Sequence, residues 1–164
     1  MGISADSGDP RPRAGARGRR GGGRPAWSPQ PAPVPARVLT IEDRCWQCRS
    51  KVRGIVGVLV DPAVTVDGTG FLPFEAVAEQ LAATLDRRTL AARRIGDLKH
   101  RDSPGVPGGY LSNGCFECDA LIGRFHLEDL LHEHLMNGRS YAQLDIGVRV
   151  DLPLTAAGRL TALG

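Results

Sequence analysis

Apolar residues along this chain fall into blocks with different periods. Arg37–Ile41 and Val52–Val60 are rich in β-branched residues and flank a short polar stretch, which predicts strand, turn, strand. Asp61–Gly70 reads as a turn-rich loop. Phe74, Val77, Ala78, Leu81, Ala82 and Leu85 then recur at helical spacing, forming one stripe of an amphipathic helix. Pro73 suits its first turn, and Glu75 and Glu79 lie near its positive end. Asp86 is placed to cap a second helix running to Ile95 and stopped by Gly96.

The pattern fades over Lys99–Gly109, a polar stretch with Pro104, Pro107 and three glycines that reads as a loop. Tyr110–Gly114 follows, with Asn113-Gly114 as a turn. Leu127, Leu130, Leu131 and Leu135 mark another amphipathic helix, ended by Asn137-Gly138. Leu144, Ile146, Val148, Val150 and Leu152 alternate with polar or small residues, so a half-buried strand closes the pattern. The expected class is α+β: a small antiparallel sheet with two to three amphipathic helices.

Composition divides the chain. Residues 1–37 hold seven of the 12 prolines, seven of the 21 glycines and seven arginines against Asp6 and Asp9, a net +5. The whole chain is +3, so residues 38–164 are slightly acidic and the basic balance belongs to the tail. With almost nothing to bury, the tail is expected to be disordered, either a solvated linker or an extension upstream of a true start near Val38. An arginine-rich arm touching phosphates is a third reading. Residues 38–154 would form one domain and 155–164 a loose end. The tail has no apolar signal region, and the longest apolar run, Ile55–Val60, is far below the ~20 residues of a membrane span. A cytoplasmic protein without a membrane partner is the expectation.

The candidate chemistry lies in the four cysteines, Cys45-Trp-Gln-Cys48 and Cys115-Phe-Glu-Cys118. A C-x-x-C turn brings two thiolates to one ion, and two such turns complete a four-sulfur shell. The 66 residues between Cys48 and Cys115 exceed the roughly 15–20 usual for a zinc ribbon, and the helical insert at 73–95 accounts for the excess. The reading is a split zinc ribbon with Cys45, Cys48, Cys115 and Cys118 as Zn²⁺ ligands. A closed four-sulfur site leaves no position for substrate, so its role would be structural. A rubredoxin-like iron site uses the same ligands. A redox pair would need its first cysteine at a helix N-terminus, whereas a strand-like stretch follows Cys48. Knuckles of this type often carry glycine after the second cysteine; Arg49 and Asp119 stand there instead.

Several nearby residues admit two readings. Trp46 and Phe116 either stack on a partner or shield the metal, and burial statistics favour shielding. Arg44, Arg49, Lys51 and Arg53 would offset the charge of a doubly negative zinc–thiolate centre, or meet phosphates. Arg87, Arg88, Arg93 and Arg94 read as a solvated helical face. His132-Glu133-His134 resembles part of a zincin motif, but its histidines are two apart rather than four and leave one helical face. His126 and His134 are too far apart in sequence to share an ion directly. Asp61, Asp97, Lys99 and His100 could build a Mg²⁺-dependent nuclease site if the fold joined them.

The segment Gly-Tyr-Leu-Ser-Asn-Gly-Cys-Phe-Glu-Cys-Asp-Ala-Leu-Ile-Gly, with the earlier Cys-Trp-Gln-Cys and its apolar strand, resembles bacterial proteins of uncharacterised role with two zinc-ribbon knuckles. Tyr110, Asn113, Cys115, Cys118, Ala120, Leu121 and Gly123 carry the likeness, and Phe116 replaces the usual proline. It spans roughly residues 42–135 and implies Zn²⁺ ligation only. Two functions follow as expectations. One is an interaction or accessory module that meets a protein or nucleic acid at the knuckle face. The other is a hydrolase or nuclease with a remote structural zinc.

Overall fold

β1, Val34–Arg44, and β2, Lys51–Leu59, form a long hairpin whose tip is the first cysteine turn, with Arg44 opposite Lys51 at its mouth. The computed structural model describes residues 32–153. β1 begins inside the segment read as tail: Val34, Pro35, Ala36 and Arg37 pair with residues of the last strand, β7, Asp145–Leu152. The rest of the expected tail, residues 1–31, and the expected loose end at 155–164 lie outside the described residues.

β3, Phe71–Pro73, adds to β2, giving a four-stranded antiparallel sheet of order β3-β2-β1-β7. A bulge between Leu39 and Thr40 shifts the β1–β2 register. It lets Val52 and Val56 point to one face while Ile55 and Val58 point to the other. Both faces are covered, which is why Ile55–Val60 is a continuous apolar run rather than an alternation.

On one face lies α1, Phe74–Thr84, followed by α2, Arg87–Ala92. The expected stripe is buried: Phe74, Val77 and Leu81 pack with Val38, Ile55, Val58, Val148, Val150 and Leu152, and Leu85 packs at the margin. Pro73 immediately precedes α1, where its missing N–H costs no helical bond. Asp86 caps α2 as expected, accepting from the Thr89 N–H at 2.8 Å. The helix ends at Ala92, short of Ile95, because Arg94 turns left-handed with φ 59°.

On the other face, Leu39, Ile41, Val52 and Val56 pack with Ile122, Leu127 and Leu144 and with Cys45 and Cys115. Here α3, Arg124–Met136, is seated lightly. Only Leu127 of its stripe is buried, against Gly54, where a Cβ would stand 2.6 Å from Leu127 Cδ2. Leu130 and Leu131 pack at the margin.

The stretch 99–109 is not a loop. β4, Lys99–Ser103, and β5, Val106–Gly114, form an antiparallel hairpin, and β6, Leu121–Ile122, joins β5 in a second sheet. Its buried positions, Ser112, Asn113 and Gly114, are polar or glycine and the rest are exposed or half-buried, so it lacks the apolar alternation that marks a half-buried strand. Gly108 and Gly109, with φ of 81° and 70°, fall opposite the irregularity between Arg101 and Ser103. Asn113-Gly114 is likewise no turn but the buried end of β5. The α+β class stands, built among the described residues as two antiparallel sheets and three α-helices.

Candidate metal centre

The two cysteine turns are duplicates in their backbone. Cys45 N–H donates to Ser50 O at 2.9 Å and Arg49 N–H to Cys45 O at 2.9 Å. In the second turn, Cys115 N–H donates to Ala120 O at 2.8 Å and Asp119 N–H to Cys115 O at 2.9 Å. Arg49 and Asp119 adopt φ of 64° and 61°, the left-handed conformation that explains the glycine expected there. Among the described residues the three non-glycine residues with positive φ are Arg49, Arg94 and Asp119, and all border this site.

The turns meet sulfur to sulfur. Cys45 and Cys118 Sγ are 3.6 Å apart, as are Cys48 and Cys115 Sγ, and all four lie within 4.8 Å of one another. A tetrahedral zinc with bonds near 2.3 Å requires sulfur–sulfur edges of about 3.8 Å. The quartet is therefore compact enough for one tetrahedral ion, and all four thiols are free of disulfides. Cys45 and Cys115 are buried, whereas Cys48 and Cys118 reach the surface.

Backbone and side-chain donors act on the outer sulfurs. The Ser50 hydroxyl and N–H, donated to Cys48, lower that thiol to about 6. Cys118 receives the equivalent N–H from Ala120, yet lost hydration and its sulfur neighbours push it up to about 12. Burial also raises Cys115. A divalent cation would remove this conflict by stabilising all four thiolates together.

Residues missed in the sequence hold the two halves in place. Arg101, read as part of a loop, is 8% exposed and donates to Ser112 O at 2.7 Å and to Asp97 O at 2.9 Å. It also grips the Asp119 carboxylate, which pairs in addition with Lys99. Lys99 and Arg101 hold the Asp119 carboxyl below the usual range. The Arg101 guanidinium lies where a Cβ on Gly114 would be, and a Cβ on Gly96 would stand 2.3 Å from Gly114 O. Close approach requires both glycines. Composition gave no hint of this, because a buried arginine is rare.

The second arginine group is not a solvated face throughout. Arg94 Nε donates to Lys51 O at 3.1 Å, and its guanidinium lies 4.9 Å from the Phe116 ring centre, so it spans both turns. Arg93 donates to Ile146 O, and Arg87 pairs with Asp97 at 3.4 Å. Around the first turn, Arg53 pairs with Glu42, while Arg44 Nη1 reaches Arg49 O.

The two aromatic residues part company. Phe116 packs at the core margin beneath Arg94. Trp46 is 64% exposed, contrary to the shielding expected of it, and its Nε1 donates to Leu121 O at 3.0 Å. Its ring stands on the surface beside Arg49 and His126.

The histidines and acids singled out in the sequence meet separate partners: His126, His134, His100 and Asp61 each face a different group. His126 pairs with Asp43 at 2.7 Å, and His134 Nε2 lies 3.1 Å from Ser140 O. His100 approaches Glu79 at 3.9 Å. Asp61 caps a single turn at Pro62–Val64 through the Ala63 N–H. Asp97 and Lys99 border a shallow groove of about 240 Å³ in which Asp61 and His100 take no part. Among the described residues, no helix is long and apolar enough to cross a membrane.

No known protein family, curated protein or solved structure matches this chain.

Proposed function

We propose that the protein is a zinc-binding interaction module, in which Cys45, Cys48, Cys115 and Cys118 hold one structural Zn²⁺ and the knuckle face carries the contact surface. The approach of four sulfurs to within 4.8 Å carries the metal assignment. All-sulfur ligation favours zinc or iron over harder cations. Zinc is the more economical reading, since a closed tetrahedral shell gives a redox-silent staple between chain segments 66 residues apart.

The contact surface follows from Trp46. An exposed tryptophan is a natural anchor for a partner's pocket or for stacking on a base. Arg44 and Arg49 beside it favour an anionic partner surface, whether of a protein or a nucleic acid. The hydrolase or nuclease alternative is the weaker reading, since Asp97 and Lys99 border a groove that Asp61 and His100 do not line.

The test is capture of partners from the native host by the zinc-loaded chain and by Trp46→Ala, with bound protein and nucleic acid both identified. A partner that the wild type retains and Trp46→Ala loses, with zinc content unchanged, supports the reading. Identical capture by both forms contradicts the assignment of the surface.

A further inference from the structure

The light seating of α3 leaves a cavity of about 330 Å³ between that helix, the β2–β3 edge and β5. Its walls are mostly apolar, with Val56, Phe71, Phe74, Leu131 and Leu135 among them and His132 beside them. The volume lies at the lower end of the range for small-molecule sites. The cavity is half open to solvent, so a ligand could enter without unfolding the domain.

The mouth is not apolar. Glu75, from the first turn of α1, and Glu128, from α3, both reach Arg124, at 3.4 and 3.6 Å from its Nε. Two carboxylates therefore share one guanidinium beside an apolar chamber. A hydrogen bond to Glu75, lost hydration and the Glu75 charge together push the Glu128 carboxyl above its usual range, against the pull of Arg124. Arg124 is further committed to the Phe125 ring, 4.6 Å from its centre. Tyr110 Oη accepts from the Arg124 N–H at 3.3 Å and lines the same mouth.

We propose that this cavity is a binding site for a small amphipathic amine, whose apolar body fills the chamber under α3 and whose ammonium group sits between Glu75 and Glu128. An acid would place a third negative charge at the mouth, and a neutral alcohol would leave the unpaired charge as it is. The carboxylates thus select among ligands that the apolar walls alone would accept equally. The cavity carries the binding and the acidic pair carries the selectivity. Neither depends on which metal the cysteines hold.

The experiment is calorimetric titration of the metal-loaded full chain with n-octylamine, n-octanol and sodium octanoate at neutral pH. Octylammonium should bind at least tenfold more tightly than octanoate, with octanol between. Glu75→Gln combined with Glu128→Gln should weaken octylammonium about tenfold and leave octanol unchanged. Leu131→Trp, which fills the chamber, should lose all three ligands while keeping the wild-type melting temperature; Leu135→Trp serves if that variant does not fold. Octanoate binding as tightly as octylammonium, no octylammonium binding below millimolar concentration, or wild-type binding by a folded chamber-filling variant would each overturn the proposal.

Discussion

The side-chain amide of Asn113 pairs with both backbone groups of Ile55, accepting from its N–H at 2.7 Å and donating to its C=O at 2.9 Å. Asn113 is 2% exposed, and it stands in for a strand neighbour on the edge of β2 where the pairing with β3 stops at Gly57. It also ties the four-stranded sheet to the strand that delivers Cys115. The relation between the two sheets, and hence between the two cysteine turns, rests partly on one amide.

Replacing that amide should be costly. Asn113→Leu would leave the Ile55 N–H and C=O buried without partners, a loss of about 2–6 kcal/mol when each orphaned group costs about 1–3 kcal/mol. Urea denaturation of the metal-loaded protein measures this directly. Unchanged stability would mean that Ile55 finds other partners and that Asn113 does not join the sheets.

The left-handed residues of the two turns should respond to glycine with opposite signs. Arg49→Gly removes a strained φ and loses no ion pair, so it should be neutral or stabilising by up to about 1 kcal/mol. Asp119→Gly relieves the same strain but frees Lys99 and the buried Arg101, and should destabilise. Paired thermal melts of the two variants read the difference.

Leu81, fully buried in the α1 stripe, should cost about 2–5 kcal/mol on truncation to alanine. The cysteine ligands lie on separate turns, so metal content should survive. A variant as stable as wild type would contradict the packing of α1 on the sheet.

Asp86 gives a pH signature. The Thr89 N–H and then its hydroxyl hold the Asp86 carboxyl below its ordinary range. A lowered folded pKa means that the contribution is complete above the unfolded value of about 3.9 and is lost as pH falls through the folded value. Asp86→Asn keeps a capping acceptor but cannot titrate there. Its stability should therefore fall less steeply than that of the wild type below about pH 4, in acid titrations followed by circular dichroism. Parallel acid limbs would show that the cap does not contribute.

The legible parts of the fold were those that bury apolar residues in a recognisable pattern. The α1 stripe and the alternating β7 each bury one regular subset, and the β1–β2 hairpin shows as apolar, β-branched runs buried on both faces. The β4–β5 hairpin was illegible because the side chains it buries, Arg101, Ser112 and Asn113, are polar, leaving only its prolines and glycines to read. Asn113-Gly114 misled for a related reason: asparagine and glycine suit turns, but here one fills a polar gap and the other clears space for Arg101. At the candidate site, cysteine spacing made the cluster readable. The supports did not show, since Arg94, Arg101 and Asp119 act through contacts between segments distant in sequence. The exposure of Trp46 could not be read from a motif that treats both aromatic tips alike.

The central claim is that one zinc, held by four sulfurs, staples the two turns together. X-ray absorption at the metal edge of the purified full chain, together with elemental analysis, tests it most directly. The account predicts one zinc per chain with four sulfur neighbours at about 2.3 Å and no nitrogen or oxygen ligand. A metal-free protein of undiminished stability, iron in place of zinc, or a shell with fewer than four sulfurs would contradict it.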